Sequence, residues 1–394
     1  MKISQRARSI APFLAMEFGN KADALEAAGQ RVIRLNLGEP DFGAPPAVLQ
    51  AAGQVLAENS LAYTAASGLP ALREAIAAFY GQAHGLSLDP ARVIVTAGAS
   101  AALLLLTAAL VDPGDEVMVG DPSYPCNRRF LQSFGAQVKL LPTDAAMRFQ
   151  LDAATVRANW TERTRGLMVA TPSNPTGTSI PASELRAICD WAQQHQAWCM
   201  VDEIYLNLAD PDEQGRAPQT ALALNPEAIV VNSFSKYFGM TGWRLGWCVV
   251  PAALVPTMER LAQNFYICPP TLAQRAALAC FTPESLAVCE ARRAEFVRRR
   301  ACVLRGLQEI GLQVPVAPDG AFYVYFDVSD TGLEAGEFCE RALQEAQVAL
   351  TPGGDFGECG ARRYVRLSYA ASLEVLEEGL ARLGVFVRSL RGGG

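Results

Sequence analysis

Four lysines stand among 30 arginines in this chain of 394 residues, and one of the four has the surroundings of a nucleophile. Lys2 and Lys21 lie in the N-terminal segment, and Lys139 falls inside a strand-like run. Lys236 instead closes the turn Ser233-Phe234-Ser235-Lys236 behind an apolar run, with Gly239, Gly242 and Arg244 following it. A lysine held in a partly desolvated pocket can be neutral and can attack a carbonyl to form a Schiff base. A solvated surface lysine needs neither the Ser-x-Ser frame nor a glycine-spaced arginine. Four other turns are chemically loaded: Ala97-Gly98-Ala99-Ser100, Asp121-Pro122-Ser123-Tyr124-Pro125, Thr171 through Asn174-Pro175-Thr176-Gly177, and Asp202-Glu203-Ile204-Tyr205. The only histidines are His84 and His195, so a histidine triad or a histidine-based metal site has little material, and no metal is expected.

Something must bring those turns together. Seven short apolar runs precede or separate them: Val93–Thr96, Glu116–Gly120, Gln137–Leu141, Gly166–Ala170, Trp198–Val201, Ala228–Asn232 and Leu245–Val250. Helical patterns lie between several, such as Pro181–His195, where Ile188, Trp191 and Ala192 share a face. Continuous apolar strands alternating with helices predict an α/β domain with a mostly parallel sheet of seven strands. In such sheets ligands sit at the carboxyl ends of the strands, which is where the loaded turns fall. The last third reads as a smaller α+β unit. Its expected elements are a long Arg-rich helix over Ser285–Ile310 and strands at Val314–Val316 and Phe322–Asp327 joined by Pro318-Asp319-Gly320. A helix over Leu333–Ala346, a strand at Tyr364–Ser368, a helix over Leu373–Leu383 and a loose Gly392–Gly394 end complete it. The predicted division is a large domain, 46–286, and a small domain made of 1–45 with 287–394.

Composition bounds the function class. Half the residues are hydrophobic and 19% are charged, as in a folded globular protein. The net charge of −6 argues against a nucleic-acid surface or an anionic membrane surface. The apolar run Ala97–Val111 is shorter than the roughly 20 residues of a membrane span and is stopped by Asp112-Pro113-Gly114-Asp115, so a buried helix is expected. Ten scattered cysteines without a secretory signal predict reduced thiols and a cytoplasmic location.

The segment Ser233 to Gly246, reading SFSKYFGMTGWRLG, resembles the cofactor-lysine signature of the fold-type I aminotransferases, class I/II of the aspartate aminotransferase superfamily. The resemblance covers nearly the whole chain. Asn36-Leu37-Gly38-Glu39-Pro40-Asp41-Phe42, Tyr63-Thr64 with Gly68-Leu69-Pro70-Ala71-Leu72-Arg73, Asn174-Pro175-Thr176-Gly177, Asp202-Glu203-Ile204-Tyr205 and Arg366-Leu367-Ser368 are similar to the family's other motifs, in the family's order. The resemblance implies pyridoxal 5′-phosphate (PLP) on Lys236 and transfer of an amino group between an L-amino acid and a 2-oxo acid. It implies Asp202 against the pyridine nitrogen and Asn174 and Tyr205 on the phenolic oxygen. Tyr124 would stack on the ring. Gly98, Ala99, Ser100, Ser233, Ser235 and Arg244 would hold the phosphate. The substrate α-carboxylate would fall to Arg366, with Gly38 and Asn174 beside it. Tyr63 would reach the phosphate of a neighbouring subunit, which implies a homodimer with shared active sites.

The same pocket serves carbon–sulfur lyases, the main alternative; an aspartate-specific transaminase and a non-catalytic PLP-binding regulator are weaker ones, the last because only a few dozen residues precede Gly38. One branch of the family places an arginine near Gln263-Asn264-Phe265-Tyr266 to bind a dicarboxylic side chain, and this stretch has none. Phe13, Leu14, Phe18 and Tyr266 are instead expected to line a pocket for a neutral side chain, with an arginine of the N-terminal segment, such as Arg6 or Arg8, able to swing toward it.

Overall fold

A computed structural model describes residues 1–212 and 215–391. Among the described residues twelve strands form, numbered in chain order: β1 Ile33–Arg34, β2 Val93–Thr96, β3 Glu116–Asp121, β4 Gln137–Pro142, β5 Thr164–Ala170, β6 Trp198–Asp202, β7 Ile229–Ser233, β8 Gly246–Val249, β9 Tyr323–Asp327, β10 Val348–Ala349, β11 Thr351–Pro352 and β12 Tyr364–Ser368. Seven make one sheet in the order β2-β8-β7-β6-β5-β3-β4. β8 runs antiparallel to both its neighbours and the remaining pairs are parallel. β2, β7 and β8 are buried at every position, because helices cover both faces of the sheet. The two faces carry separate apolar clusters. One contains Leu103, Leu106 and Met258, and the other contains Phe234, Phe238 and Trp247.

The run read as too short for a membrane span is the buried helix Ala99–Leu110, and among the described residues no helix is long and apolar enough to cross a membrane. It starts from Gly98, whose φ of +88° a side chain would resist. Parallel strands with covering helices therefore leave the carboxyl ends of β2, β3, β5, β6 and β7 on one edge, with the loaded turns attached.

The second part of the structure faces that edge. β9, β11 and β12 form an antiparallel sheet in the order β11-β12-β9, and β1 pairs with β10 in parallel. The helix Pro283–Glu309 leads into it. The expected strand at Val314–Val316 does not form. Pro315 has no N–H to give a ladder, and only an isolated bridge, Gln313 to Asp327, remains. The Pro318-Asp319-Gly320 turn holds the two parts together, because the Asp319 and Gly320 N–H groups donate to the Gly177 carbonyl at 3.0 and 2.9 Å. A Cβ at Gly177 would lie 2.6 Å from Pro318 Cβ, so only glycine fits there. The last helix runs to Arg391, past the expected Leu383, and packs Leu383, Phe386 and Val387 into the core. Gly392–Gly394 lies outside the described residues.

One N-terminal feature, a helix, had no clear sequence signal, while the motif that follows it did. A helix spans Leu14–Ala27, and the segment after it places Asn36 and Gly38 against the sheet edge.

Candidate active site

The converging turns enclose a cavity of about 430 Å³. Gly38, Ala99, Ser100, Tyr124, Asn174, Asp202, Tyr205, Ser233, Ser235, Lys236, Arg244 and Arg366 all line it. Gly98 lies just behind, where an added Cβ would sit 2.5 Å from Arg244 Nη2. Tyr63 does not line the cavity; it is 79% exposed on the outer surface. Phe13 lines the wall with Ala15, Met16 and Leu37. Three expected wall residues do not. Phe18 turns into the core beside Ala22, Tyr266 packs with the Leu106 cluster, and the Leu14 side chain lies against Gly354. On a helix that starts at Leu14, one stripe faces the cavity and another the core, so Phe13 and Phe18 cannot share a face.

Lys236 follows β7 by three residues, in a turn fixed by its own serines. Ser233 Oγ donates to Ser235 Oγ at 2.9 Å, and the Ser235 N–H donates to Ser233 Oγ at 3.0 Å. The lysine ammonium donates to the Gly38 carbonyl at 2.6 Å. Burial pushes its pKa down to about 8. Glu39 opposes that shift, and Arg366 and Arg244 reinforce it. A protein that keeps an amine close to neutrality at this depth has the means to make it nucleophilic.

Adjacent carboxylates at the end of β6 behave differently. Glu203 is buried and both its oxygens are used, accepting from Thr220 Oγ1 at 2.8 Å and the Ala221 N–H at 2.6 Å. It is a helix cap. Asp202 is 4% exposed and takes one N–H, from Ile204 at 3.2 Å. Burial raises its pKa to about 6, against the pull of that N–H and of Lys236. A buried carboxylate this short of donors fits a protonated ring nitrogen entering from the cavity.

On the other flank the fit is to an anion. Arg244 sits beside Gly98, at the N-terminal end of the helix Ala99–Leu110, and holds a left-handed φ of +51°. A guanidinium and a helix N-terminus repel one another unless a negative group lies between them. Ser100, Ser233 and Ser235 line the same cavity. Together they suit a phosphate.

Arg366 is 2% exposed, in the middle of β12. Its Nη1 donates to Asn174 Oδ1 at 2.8 Å and its Nη2 to the Asn36 carbonyl at 2.7 Å, while Nε is buried without a partner among the described residues. A guanidinium only donates, so Asn174 must turn its oxygen to Arg366 and keep its NH2 for the cavity. Tyr323, which motif reading missed, lies under the Arg366 guanidinium, 4.6 Å from ring centre to carbon, and pairs its hydroxyl with that of Tyr205 at 2.8 Å. A tyrosine in an alternating strand, Tyr323-Val324-Tyr325-Phe326, gives no sign of which ring faces a site.

The fold and this constellation define a class of cofactor-dependent transferase, and comparison with known proteins gives the family. The chain belongs to the aminotransferase class I and II family, which it matches over residues 30–383. It is 41% identical to a valine–pyruvate aminotransferase of Mycobacterium tuberculosis, covering 96% of this chain and 97% of that one. It is 38% identical to an aspartate/prephenate aminotransferase of Thermus thermophilus, again over 96% and 97%. Among solved structures, an aminotransferase from Mycobacterium tuberculosis superposes with a TM-score of 0.94 at 40% identity, over 99% of this chain and all of that one. An aspartate aminotransferase from Thermus thermophilus with maleate gives 0.92 at 36%, over 98% and 99%. The protein is a PLP-dependent transaminase acting on an amino acid and a 2-oxo acid.

Proposed function

We propose that this transaminase takes an L-amino acid with a neutral side chain as its donor, with Lys236 carrying the cofactor. One observation carries the donor reading. The cations that line the cavity, among the described residues, are Lys236, Arg244 and Arg366, and Phe13, Ala15, Met16 and Leu37 give it an apolar wall. Arg6 and Arg8 belong to the separate helix Gln5–Ser9 and do not line it. A side-chain carboxylate against that wall would be poorly paired and would cost several kcal/mol. The relative named for valine and pyruvate agrees with this reading, and those named for aspartate show that the family does not decide it.

PLP, when bound, supplies an electron sink for the bonds at the substrate Cα. The chain's residues do the rest. Asp202 would hold a proton on the ring nitrogen, Asn174 and Tyr205 would donate to the phenolic oxygen, and Tyr124 would offer its ring face to the cofactor. Ala99 and Ser100, in the helix's first turn after Gly98, hold the phosphate together with Ser233, Ser235 and Arg244. Arg366 offers its unpaired Nε to the substrate α-carboxylate, with Gly38 close by. Once released from the Gly38 carbonyl, Lys236 Nζ is the base that moves the Cα proton.

The deciding measurement is kcat/KM for the first half-reaction, followed as the cofactor's absorbance shifts to the aminated form. Alanine, valine, leucine, methionine and phenylalanine should all exceed aspartate and glutamate. A tenfold preference for either acid over every neutral donor overturns the reading.

We also infer a homodimer. Tyr63, Leu56, Leu61, Phe265 and Ile267 are exposed apolar side chains, and Thr271 Oγ1 donates to the Ala62 carbonyl, which ties the two segments side by side. A second copy covering that face would bring Tyr63 to its partner's phosphate corner. Sedimentation of active enzyme as a monomer would refute it. The division into 46–286 and 1–45 with 287–394 follows sheet membership, since β2–β8 lie in the first and β1 with β9–β12 in the second. Ten free cysteines favour a cytoplasmic location.

A further inference from the structure

The helix Leu14–Ala27 begins badly by its own sequence. Its N-cap position is Phe13, whose side chain can accept nothing, and an uncapped start leaves the first N–H groups without partners. The missing cap comes from the far end of the chain. Asp355 Oδ1 accepts from the Leu14 N–H at 2.9 Å and Oδ2 from the Ala15 N–H at 3.1 Å. Asp355 is buried, and Arg128 Nη2 donates to its backbone carbonyl at 2.9 Å.

The loop that carries Asp355 is itself pinned to the large sheet. Asp121, at the end of β3, accepts from the Glu358 N–H at 3.0 Å and from the Cys359 N–H at 3.1 Å. The Ser123 N–H donates to the Phe356 carbonyl at 2.9 Å. Gly357 lies so close to Asp121 that a Cβ there would overlap the carboxylate. A chain of fixed contacts therefore runs from β3, through the loop Gly353–Cys359, to the first turn of the N-terminal helix. That turn supplies Phe13, Ala15 and Met16 to the cavity, and the Phe13 ring meets the Tyr124 ring edge-on at 6.2 Å.

We infer that Asp355 is a positioning residue for donor selection: by capping the helix from outside, it leaves the N-cap position free to hold an aromatic side chain against the substrate. A serine or aspartate at position 13 would cap the helix but would remove the ring from the wall. Asp355 separates the two demands. The inference rests on reading Phe13 and Met16 as the wall that meets the donor side chain.

The test uses cofactor-loaded full-length protein and two readouts. In Asp355→Asn one carboxylate oxygen becomes an NH2 facing an N–H, so amide exchange across Phe13–Phe18 should quicken about tenfold, the size of a lost cap. In the same variant the ratio of kcat/KM for methionine or phenylalanine to that for alanine should fall about tenfold, the scale of a pocket contact worth one or two methylenes. Adding Phe13→Asp to Asp355→Asn restores a cap in the helix's own sequence. Exchange should then return to the parent rate while the donor ratio stays low. Unchanged exchange in Asp355→Asn overturns the clasp. Faster exchange with an unchanged donor ratio, or an equal loss for alanine and the larger donors, overturns the selective role. If Asp355→Asn does not fold, the double variant should; failure of both overturns the capping argument. If the parent enzyme uses no neutral donor, the wall reading falls with the proposed function, and exchange still decides whether Asp355 holds the helix.

Discussion

On one side of the cavity, Asp202, Ser233, Ser235, Lys236 and Arg244 come from one stretch of chain and sit at the ends of neighbouring strands β6 and β7 or just beyond them. On the other side, Phe13, Asn36, Tyr323 and Arg366 come from four segments spread from one end of the chain to the other. The first side is anchored by strand ladders, which fix each turn from two neighbours. The second draws on a separate small sheet, where β12 and β9 carry Arg366 and Tyr323, and on N-terminal segments tied to it by long-range bonds, such as Arg366 to the Asn36 carbonyl and Asp355 to Leu14 and Ala15. A family can therefore change what it accepts by altering the second side and leave the chemistry of the first intact. The mixture of donors named among this chain's relatives is what such a division allows.

Breaking the sheet side should cost most. On the proposed roles, Lys236→Ala removes both the cofactor's attachment and the proton carrier, so turnover should fall by on the order of 10⁴-fold, the upper range for a lost acid–base group. Half-reaction kinetics with alanine measure it, and borohydride reduction of the parent enzyme should leave the pyridoxyl adduct on Lys236. An adduct on Lys139 would show that the wrong side of the chain had been read.

Asp202→Asn should keep the cofactor and lose roughly 10²–10³-fold in kcat, the scale of one misplaced electrostatic group. The same substitution makes a stability prediction for protein stripped of cofactor. The folded-state pKa of Asp202 is raised to about 6 from 3.8, so the folded chain binds more protons than the unfolded one between those values. The carboxyl's favourable contribution is present below about pH 3.8 and is lost as pH rises through about 6. At pH 7 the buried charge is a penalty on the order of 2–3 kcal/mol, which Asn removes. Thermal melts of the stripped variant should lie above the parent at pH 7 and converge with it near pH 4. Cofactor loading should close the gap at pH 7, because a protonated ring nitrogen then pairs the charge.

The sheet side was legible because its information is local. Each apolar run predicted a strand within a residue or two, and each chemical turn followed its strand directly. The opposite side was only partly so. Arg366 was found because it lies in a recognisable triplet, Arg366-Leu367-Ser368. Tyr323 and Asp355 were not, since what makes them matter is a partner far away in the chain. Phe18 was misplaced for a related reason. Near a helix start, which of two aromatics faces the site depends on the rotation of the helix, and Asp355 sets that from the other end of the sequence. The failed strand at Val314–Val316 is a different lesson, since Pro315 was visible and its missing N–H outweighs the flanking valines.

Breaking the far side should cost less and should fall on substrate terms. Arg366→Lys keeps a charge but loses the fork, and a lysine cannot reach Asn174, Asn36 and a carboxylate together. The expected loss is about 1.5–3 kcal/mol in kcat/KM. It should appear mostly in KM and equally for every donor, because all donors share the α-carboxylate. A loss that differed tenfold between alanine and phenylalanine would mean that Arg366 also shapes the side-chain wall.

The smallest effect tests a direct link between the two sides. Tyr205 follows β6 and Tyr323 opens β9, and their hydroxyls meet at 2.8 Å. Both rings are buried, and burial holds both hydroxyls protonated well past neutrality. Each hydroxyl can donate one proton, so a hydroxyl that donates to its partner is not free to donate into the cavity. Tyr323→Phe removes the partner and leaves the ring that supports Arg366 at 4.6 Å. Tyr205 then has one donor and no competing claim from Tyr323. A single neutral hydrogen bond is worth about 0.5–1.5 kcal/mol, so kcat/KM should change by only two- to tenfold. Its distribution is the informative part. If Tyr323 acts through Tyr205, the cofactor's absorbance maximum should move while KM for the donor holds, since the hydroxyl near the phenolic oxygen has been released. If Tyr323 acts through Arg366, KM should rise for all donors and the spectrum should stay where it was. A change in both would mean that the two sides of this cavity are coupled through a single pair of hydroxyls, and the division drawn between them would have to be redrawn with Tyr205 on the substrate side.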